Sequence, residues 1–512
     1  MKSSRTKNSI INSSIGSISQ IISTLLNFIV RTIFIHYLSK EYLGINGLFT
    51  NILYVLNFAE LGIGNAIVYN MYKPVAENNK ERIKQLVNLY KKIYFGIGIV
   101  VLLLGLLVIP FMGCIIKDPP KIEENLIIIY ILYLLEQVFN YFLGYKRQVL
   151  LVYQKNYINN LIDLIFSIIK SLIQILILIF TKNYILYLSI YILSTILSNI
   201  AITIVVNKKY SFLKEKNILK VPKKEITELI NNVKSLFMYK LGNTVLSGTD
   251  NIILSMVVGI VSVGLYSNYS LIITAVSGIL WTILTGLTGS IGNFNATSSN
   301  KKKEELYKEV LFLSCMLYGF GAVFLGILLK PFIILWIGED YLLDSITVIF
   351  LMTVFYLRGI AFSSNVYRDT LGLFKEGRLA PFICAILNII LSVVLGKILG
   401  ISGVFLATII SILLTTFWYM PRIIYKNIFK LNFMTYLNSV FKFTIPFAIS
   451  YILLCFIIDF ATKKMNSDFL NLIISLIIVP IITLMIFIAF NFKAKEYIDI
   501  KNKLCNFIGR RG

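Results

Sequence analysis

Long apolar segments follow one another along the whole chain, separated by short polar loops. Most are about 20 residues long, the length that an α-helix needs to cross roughly 30 Å of hydrocarbon. The pattern therefore predicts an all-α polytopic membrane protein. The fourteen predicted spans are 10–38, 43–70, 93–113, 124–144, 157–180, 184–206, 236–258, 263–293, 309–336, 343–365, 380–399, 402–420, 437–460 and 469–490.

The first predicted span carries a polar stripe on an otherwise apolar helix. Its members recur at intervals of three and four residues, which places them on one helical face. They are Ser13, Ser17, Gln20, Thr24, Asn27 and Arg31. Because a polar face inside a membrane must contact protein or trapped water rather than lipid, the stripe predicts a polar cavity beside this helix.

The polar stripe returns in the seventh span at a shift of 220 residues. The shift also aligns Gly44 with Gly264, at the start of the next span in each half. Both halves begin on the same side, so the pattern predicts a parallel repeat of two six-helix lobes around a cavity. The aligned residues of the first stripe are Gln20, Thr24, Asn27 and Arg31. Their counterparts in the seventh span are Lys240, Thr244, Ser247 and Asn251, and Asp250 directly precedes Asn251.

This repeat divides the chain into five predicted parts. They are an N-lobe at 1–206 (spans 1–6), a basic cytoplasmic inter-lobe loop at 207–235, a C-lobe at 236–420 (spans 7–12), two extra spans at 421–490, and a basic cytoplasmic tail at 491–512.

The charge distribution predicts the topology. The chain is 57% hydrophobic and 14% charged, with a formal net charge of +24. Of its 49 Lys and Arg residues, 36 fall in alternate connecting segments on one side and only seven in the other loops. By the positive-inside rule, both termini are expected in the cytoplasm. The basic excess is thus explained by topology, with contact to anionic membrane lipids second, and nucleic-acid binding is not expected.

Residue usage argues against an enzyme. A single histidine, His36, leaves little scope for histidine-based catalysis or metal sites, and the five cysteines are scattered without metal-ligand spacing. No Walker A sequence occurs, and the predicted outer loops are too short to carry a catalytic apparatus. The sequence predicts neither a metal nor a cofactor.

Three runs near the N-terminus carry a family resemblance: 43–49 (LGINGLF), 59–66 (AELGIGNA) and 72–77 (YKPVAE). They resemble the opening of the Wzx-like polysaccharide-transport flippases of the multidrug/oligosaccharidyl-lipid/polysaccharide exporter (MOP) superfamily, as does the arrangement of six, six and two spans. The resemblance implies alternating access that carries undecaprenyl-diphosphate-linked oligosaccharide to the outer leaflet of a bacterial cytoplasmic membrane. Glycan polymerases and glycosyltransferases are possible partners.

Such a substrate needs cations for its diphosphate and polar groups for its sugars. The candidate substrate-binding residues are Arg31, Asn27, Gln20, Asn46, Arg358, Lys240 and Lys170. Arg31 alternatively pairs with Glu60, and Arg358 with Glu136 or Asp250. Lys240 alternatively extends to anionic headgroups at the membrane edge.

Four acids are candidates for ion coupling or for fixed counter-ions: Glu60, Asp250, Asp163 and Glu136. Either role fits an acid inside a membrane, so coupling to an H⁺ gradient, an Na⁺ gradient or the membrane potential stays open. The Glu60-Leu-Gly-Ile-Gly run places Gly62 and Gly64 in the second span, where they permit close packing or bending.

Two other functions compete with the flippase. A cation-coupled multidrug exporter of the same fold would favour a cavity of carboxylates and aromatic rings, whereas this chain also places Arg31, Lys170 and Arg358 inside spans. A non-transporting scaffold for glycan assembly would not need a polar stripe in both halves, and changes to the cavity would leave its activity intact.

Overall fold

The computed structural model describes residues 2–60, 63–215, 221–222, 241–242, 244–246, 248–373, 376, 379–462 and 467–509. These residues form helices, turns and loops and contain no strand. Among the described residues, twelve helices are long and apolar enough to cross a membrane: Ser14–Tyr37, Lys80–Ile115, Leu126–Gly144, Asn156–Thr181, Tyr184–Lys209, Ile260–Asn295, Asn300–Ile337, Ser345–Leu371, Ala380–Leu399, Ile401–Phe429, Met434–Ala461 and Asp468–Asn491.

The prediction of an all-α polytopic membrane protein is thereby confirmed, and these helices correspond to twelve of the fourteen predicted spans. The remaining two are 43–70, which is a broken helix, and 236–258, in which residues 236–240, 243 and 247 lie outside the described part of the chain.

Contacts divide the chain into two compact units, Met1–Gly264 and Leu265–Gly512. The finer division into lobes, loop and tail stays a prediction. The helices that lie in unit 1 or begin there are α1 (Lys2–Tyr37), α2 (Lys40–Leu56), α3 (Ile63–Ala76), α4 (Lys80–Val108), α5 (Met112–Ile115), α6 (Leu126–Gly144), α7 (Arg147–Val152), α8 (Asn156–Thr181), α9 (Tyr184–Lys209), α10 (Asp250–Val257) and α11 (Ile260–Thr285).

The core of unit 1 is a bundle in which α8 packs between α1 and α9, while α6 packs between α4 and α9. Although α8 is largely apolar, it buries Asn159, Ser171 and Gln174 on the side facing its neighbours. Its exposed positions, such as Ile165 and Leu172, are apolar. This inside-out pattern fits a helix with lipid on one face and protein on the other.

The second predicted span is broken at Glu60. Helix α2 ends at Leu56, a 3₁₀ turn covers Asn57–Glu60, and α3 begins at Ile63. Next to the break, a side chain on Gly64 would stand only 3.2 Å from the Tyr90 hydroxyl and 3.3 Å from Glu60 Oε1. The glycine therefore lets α3 approach these polar groups.

Two repeat-related glycines meet where α2 and α11 begin. A Cβ atom on Gly44 would lie 2.1 Å from the carbonyl oxygen of Ile260, and one on Gly264 would lie 2.5 Å from that of Lys40. Real Cβ atoms essentially never come this close, so the two backbones touch directly. We call this contact the glycine crossing. Beside it, Asn251 Nδ2 donates to the Gly47 carbonyl at 3.3 Å.

Unit 2 is built on α13, which packs against α14, α18 and α19, and on the antiparallel pair α15 and α16. Phe312, Phe443 and Phe487 fill the first group, with ring centroids 5.0 and 5.5 Å from that of Phe312. The helices that begin in unit 2 are α12 (Thr288–Thr297), α13 (Asn300–Ile337), α14 (Ser345–Leu371), α15 (Ala380–Leu399), α16 (Ile401–Leu414), α17 (Thr416–Ile423), α18 (Met434–Thr462), α19 (Asp468–Asn491) and α20 (Lys495–Gly509).

Candidate functional site

A polar cavity of about 300 Å³ lies in unit 1 among α6, α8 and α9. It contains two acids and two bases within a set of hydroxyl, amide and aromatic groups, so its charge is nearly balanced. We call it the α6–α8–α9 cavity. Its lining residues are Glu136, Asn140, Arg147, Asp163, Phe166, Ser167, Lys170, Tyr191, Ser194, Thr195 and Ser198.

Arg147 and Asp163 form a two-point ion pair in this lining. The Nη1 and Nη2 atoms of Arg147 donate to the two carboxylate oxygens of Asp163 at 2.6 and 2.9 Å. Arg147 Nε also donates to Asn199 Oδ1 at 2.7 Å. This fork geometry fixes both groups, since a guanidinium matches a carboxylate with two parallel bonds. Asp163 is therefore held by the first residue of α7.

Glu136 and Lys170 form a looser pair in the same cavity. Thr195 Oγ1 donates to Glu136 Oε1 at 2.8 Å, and Glu136 is buried. Lys170 Nζ lies 5.0 Å from the centroid of the Tyr191 ring and close enough to Glu136 for electrostatic attraction. A cation over an aromatic face is stabilised by the ring quadrupole. Asp163 and Lys170, seven residues apart on α8, thus line one cavity.

Arg31 lies in a second polar group, at the end of the stripe on α1. It is half-buried, and its positive charge acts on the hydroxyl groups of Tyr184 and Tyr187. The Tyr184 and Tyr133 hydroxyls are hydrogen-bonded at 2.9 Å, and Asn46 Nδ2 donates to Tyr133 at 2.7 Å. Two of the predicted substrate residues, Arg31 and Asn46, therefore both interact with Tyr184.

Glu60 forms a third polar group at the break in the second span. Tyr94 donates a hydrogen bond to Glu60 Oε1, and Tyr141 donates to Oε2 at 3.2 Å. Tyr141 is also 3.0 Å from Asn57 Oδ1. The Glu60 carboxylate thus accepts hydrogen bonds from two phenol hydroxyls at the break between α2 and α3.

The remaining predicted site residues are spread more widely. Gln20 and Asn27 are exposed on α1, and Asp250 is buried on α10. Lys240 lies outside the described residues. Arg358, on α14 of unit 2, is exposed although residues 354–357 and 359–360 around it are all buried. Its guanidinium acts electrostatically on the Cys384 thiol of α15.

Sequence reasoning missed the residues that hold the candidate acids. Arg147 was counted in a basic connecting segment, so its pairing with Asp163 was not foreseen. Tyr94, Tyr141 and Thr195 were not singled out among the many Tyr and Thr residues. A pairing signal was nevertheless present, because an intramembrane acid calls for a donor nearby. Within the described ranges, no group of three or more His, Cys, Asp and Glu side chains is arranged to hold a metal.

Comparison with solved structures identifies the fold. A structure titled lipid II flippase MurJ, in an inward closed conformation, superposes with a TM-score of 0.70 at 18% identity, covering 93% of this chain and 98% of that one. An inward-facing multidrug resistance MATE transporter of the MOP superfamily superposes with a TM-score of 0.58 at 13% identity, covering 87% of this chain and 96% of that one. A mutant of the Vibrio cholerae MATE transporter VcmN superposes with a TM-score of 0.51 at 15% identity, covering 83% of this chain and 100% of that one.

Sequence comparison identifies the family. No curated protein sequence matches the chain. The family described as "Polysaccharide biosynthesis protein" matches residues 9–287, which is more than half of the 512 residues. The resemblance noted at 43–77 is thereby confirmed. The chain belongs to the polysaccharide biosynthesis protein family and has the fold of MOP superfamily transporters.

Proposed function

We propose that this protein is a flippase that moves undecaprenyl-diphosphate-linked oligosaccharide from the inner to the outer leaflet of a bacterial cytoplasmic membrane by alternating access. Membership of the polysaccharide biosynthesis family supports a glycan-related substrate. The likeness to a structure titled lipid II flippase supports a lipid-linked one. The protein acts as a transporter rather than an enzyme, with both termini in the cytoplasm.

The observation that carries this proposal is the α6–α8–α9 cavity. Its hydroxyl and amide groups, with the rings of Phe166 and Tyr191, are the groups that recognise sugars by hydrogen bonding and ring contact. Its charges are balanced by Arg147 and Lys170, so it does not select a cation. We assign it to the glycan part of the substrate.

The diphosphate is assigned to the basic residues of the polar stripes. In this proposal Arg31 binds the diphosphate, while Gln20, Asn27 and Asn46 contact the polar headgroup. Arg358 offers a second cation within a span, exposed on a helix that is otherwise buried in its middle. Lys170 stays paired with Glu136, and Lys240, which lies outside the described residues, is proposed as a first contact for the diphosphate.

Glu60 is the strongest candidate for ion coupling, ahead of Glu136, Asp163 and Asp250. It lies at a break in a helix and is held by two tyrosine hydroxyls. Asp163 is already neutralised by Arg147. In this proposal, the coupling ion binds Glu60 at the 3₁₀ turn between α2 and α3.

A cation-coupled multidrug exporter is the second candidate. The MATE transporters share the fold, and Glu60 with Tyr94 and Tyr141 forms the carboxylate-and-ring arrangement that suits a cationic substrate. The two candidates differ in the charge of the substrate, which is a measurable property.

The deciding experiment measures undecaprenyl-linked oligosaccharide by mass spectrometry in cells depleted of this protein, together with surface polymer. A flippase predicts accumulation of the lipid-linked sugar with loss of the polymer, and the mass then gives the sugar. An unchanged pool with new sensitivity to cationic drugs would support the exporter instead. An unchanged pool with lost polymer would point to a scaffold.

A further inference from the structure

Lysine side chains crowd together at one end of unit 1, around the loop that joins α6 to α7. Lys146 lies in this loop and is only 8% exposed. The Nζ atoms of Lys91, on α4, and of Lys146 lie 5.9 and 5.8 Å from the centroid of the same ring, that of Tyr145. Lys214, in the 3₁₀ turn after α9, is close enough to repel Lys146. We call Lys91, Lys146 and Lys214 the lysine cluster.

Among the described residues, the positive charges of Lys91 and Lys146 are not balanced by an ion pair. Lys146 Nζ donates to the neutral amide oxygen of Asn207. Neither Lys91 nor Lys146 forms an ion pair with any residue in the described ranges. The acids beside the cluster, Glu81 and Glu215, are both engaged by Lys84, at 2.5 and 2.6 Å.

The electrostatic cost of this arrangement falls on Lys146. Burial lowers the pKa of its ammonium group, and the charges of Lys91 and Lys214 lower that pKa further. A buried ammonium group next to like charges is stabilised by an anion. Helix C-termini also attract cations, and α6 and α9 both end here, at Gly144 and Lys209. That attraction falls off within a turn and does not account for three adjacent lysines with one of them buried.

A second observation at the same end of unit 1 points to a missing ligand. The Tyr210 hydroxyl is buried and has no hydrogen-bond partner in the described part of the chain. Its ring stacks on Tyr153 at 4.3 Å, and Lys155 Nζ lies 5.7 Å from its centroid. Tyr210 directly precedes the turn that carries Lys214. A buried hydroxyl without a hydrogen-bond partner in the described residues thus belongs to a residue that contacts Lys155 and lies four positions before Lys214.

We propose that the lysine cluster binds the phosphoryl group of a membrane-lipid headgroup. The cluster lies at the ends of α6 and α9, which are long enough to span a membrane, so it is at the level of lipid headgroups. The basic connecting segments that form it are predicted to be cytoplasmic. The phosphoryl group can come from an anionic phospholipid or from a polyprenyl diphosphate, and the second source rests on the proposed function.

The test measures lipid binding by the full-length protein in neutral detergent. The probes are phosphatidylglycerol, undecaprenyl diphosphate and inorganic pyrophosphate, the last as a headgroup without a tail. Lys91→Gln and Lys146→Gln are compared with Lys92→Gln, an exposed neighbour on the same helix. Each cluster variant is expected to weaken binding of the phosphorylated lipids about fivefold, whereas Lys92→Gln leaves it unchanged.

The two lipid sources give different results. Tighter binding of undecaprenyl diphosphate than of phosphatidylglycerol, lost in Lys91→Gln, assigns the site to the substrate. Equal binding of both, lost in the same variant, assigns it to anionic lipid in general. Unchanged binding of both lipids in Lys91→Gln overturns the proposal, and this variant is informative because Lys91 is exposed and not needed for packing.

Failure of this site is distinguishable from failure of the proposed function. Lipid binding is measured without transport, so phosphatidylglycerol binding that depends on Lys91 stands even if depletion leaves the oligosaccharide pool unchanged. Conversely, suppose that depletion accumulates the lipid-linked oligosaccharide while Lys91→Gln leaves lipid binding unchanged. That result would support the flippase function and overturn only the proposed lysine-cluster site.

Discussion

Charged side chains within the spans of unit 1 are held by polar neighbours. Arg147 forms an ion pair with Asp163, and Thr195 donates a hydrogen bond to Glu136. Tyr94 and Tyr141 donate hydrogen bonds to Glu60. An unpaired charge in hydrocarbon costs roughly 2.5–3.5 kcal/mol on insertion scales, so these partners lower the cost of keeping the acids. Their arrangement determines which side chains remain available for a substrate.

Arg31→Ala is expected to reduce surface polymer at least about tenfold while the protein still reaches the membrane, since one charge-assisted contact is worth about 1.5–3 kcal/mol. The neighbouring variant Thr32→Ala is the control, because Thr32 is exposed and its hydroxyl donates to the Phe28 carbonyl one turn earlier, at 2.8 Å. Polymer is measured at matched membrane levels. Export at the wild-type rate by Arg31→Ala would remove Arg31 from the site.

Arg147→Ala is expected to lower thermal stability by about 1 kcal/mol, because Asp163 is half-exposed and loses its two-point partner. The exchange Arg147→Asp with Asp163→Arg should recover part of that loss if the ion pair itself is responsible. Thermal unfolding in detergent provides the measurement. No recovery in the exchanged pair would attribute the loss to the Asn199 bond instead.

Spacing along a helix indicates which side chains lie together at the residue scale. The seven-residue interval between Asp163 and Lys170 places both on one helical face, and both line the α6–α8–α9 cavity. Pairings between residues of distant segments could not be predicted from the sequence. Arg147 meets Asp163 only because α7 turns back toward α8, and the sequence carries no local mark of that turn.

Helix ends and breaks determine how the elements of unit 1 can move. The glycine crossing joins the beginnings of α2 and α11, and the break at Glu60 separates α2 from α3. The periodicity predicted one span over 43–70, because apolar composition does not report a change from α to 3₁₀ hydrogen bonding. The Gly62 and Gly64 pair in this span predicted close packing or bending.

Gly44→Ala is expected to separate α2 from α11, because the added Cβ atom would lie 2.1 Å from the Ile260 carbonyl oxygen. The readout is thiol labelling of Leu43→Cys, a fully buried position, in a background without the five native cysteines. Labelling should rise at least about fivefold. Gly96→Ala is the control, since a side chain there meets nothing within 4 Å. Equal labelling in both variants would show that the crossing tolerates a methyl group.

At the scale of the whole molecule, the fold was predictable because membrane crossing imposes strong rules on sequence. The length of the apolar segments predicted the membrane spans. Among the described residues, twelve of these spans are helices long enough to cross a membrane. The repeat was detectable because both halves keep polar residues at matching places. The position of the unit boundary, at Gly264, was not predictable, since it depends on which contacts α10 and α11 make.

The topology predicts how the native cysteines react. Cys114 is exposed near an end of α5, in a segment predicted to face outward, whereas Cys505 lies in the basic tail predicted to be cytoplasmic. A membrane-impermeant thiol reagent added to intact cells with accessible membranes should label Cys114 and leave Cys505 unlabelled. Cys114→Ser should abolish that labelling. Labelling of Cys505 from outside would invert the orientation.

The break at Glu60 also has a mechanical consequence. A continuous helix transmits a displacement of one end to the other end, whereas a helix broken in the middle transmits less of it. Helix α3 packs against α4 and α7, whereas α2 packs against α6, α10 and α4. Because α4 contacts both helices, we expect a displacement that starts at the glycine crossing to tilt α2 about Asn57–Glu60 and to move α3 and α7 less than α2.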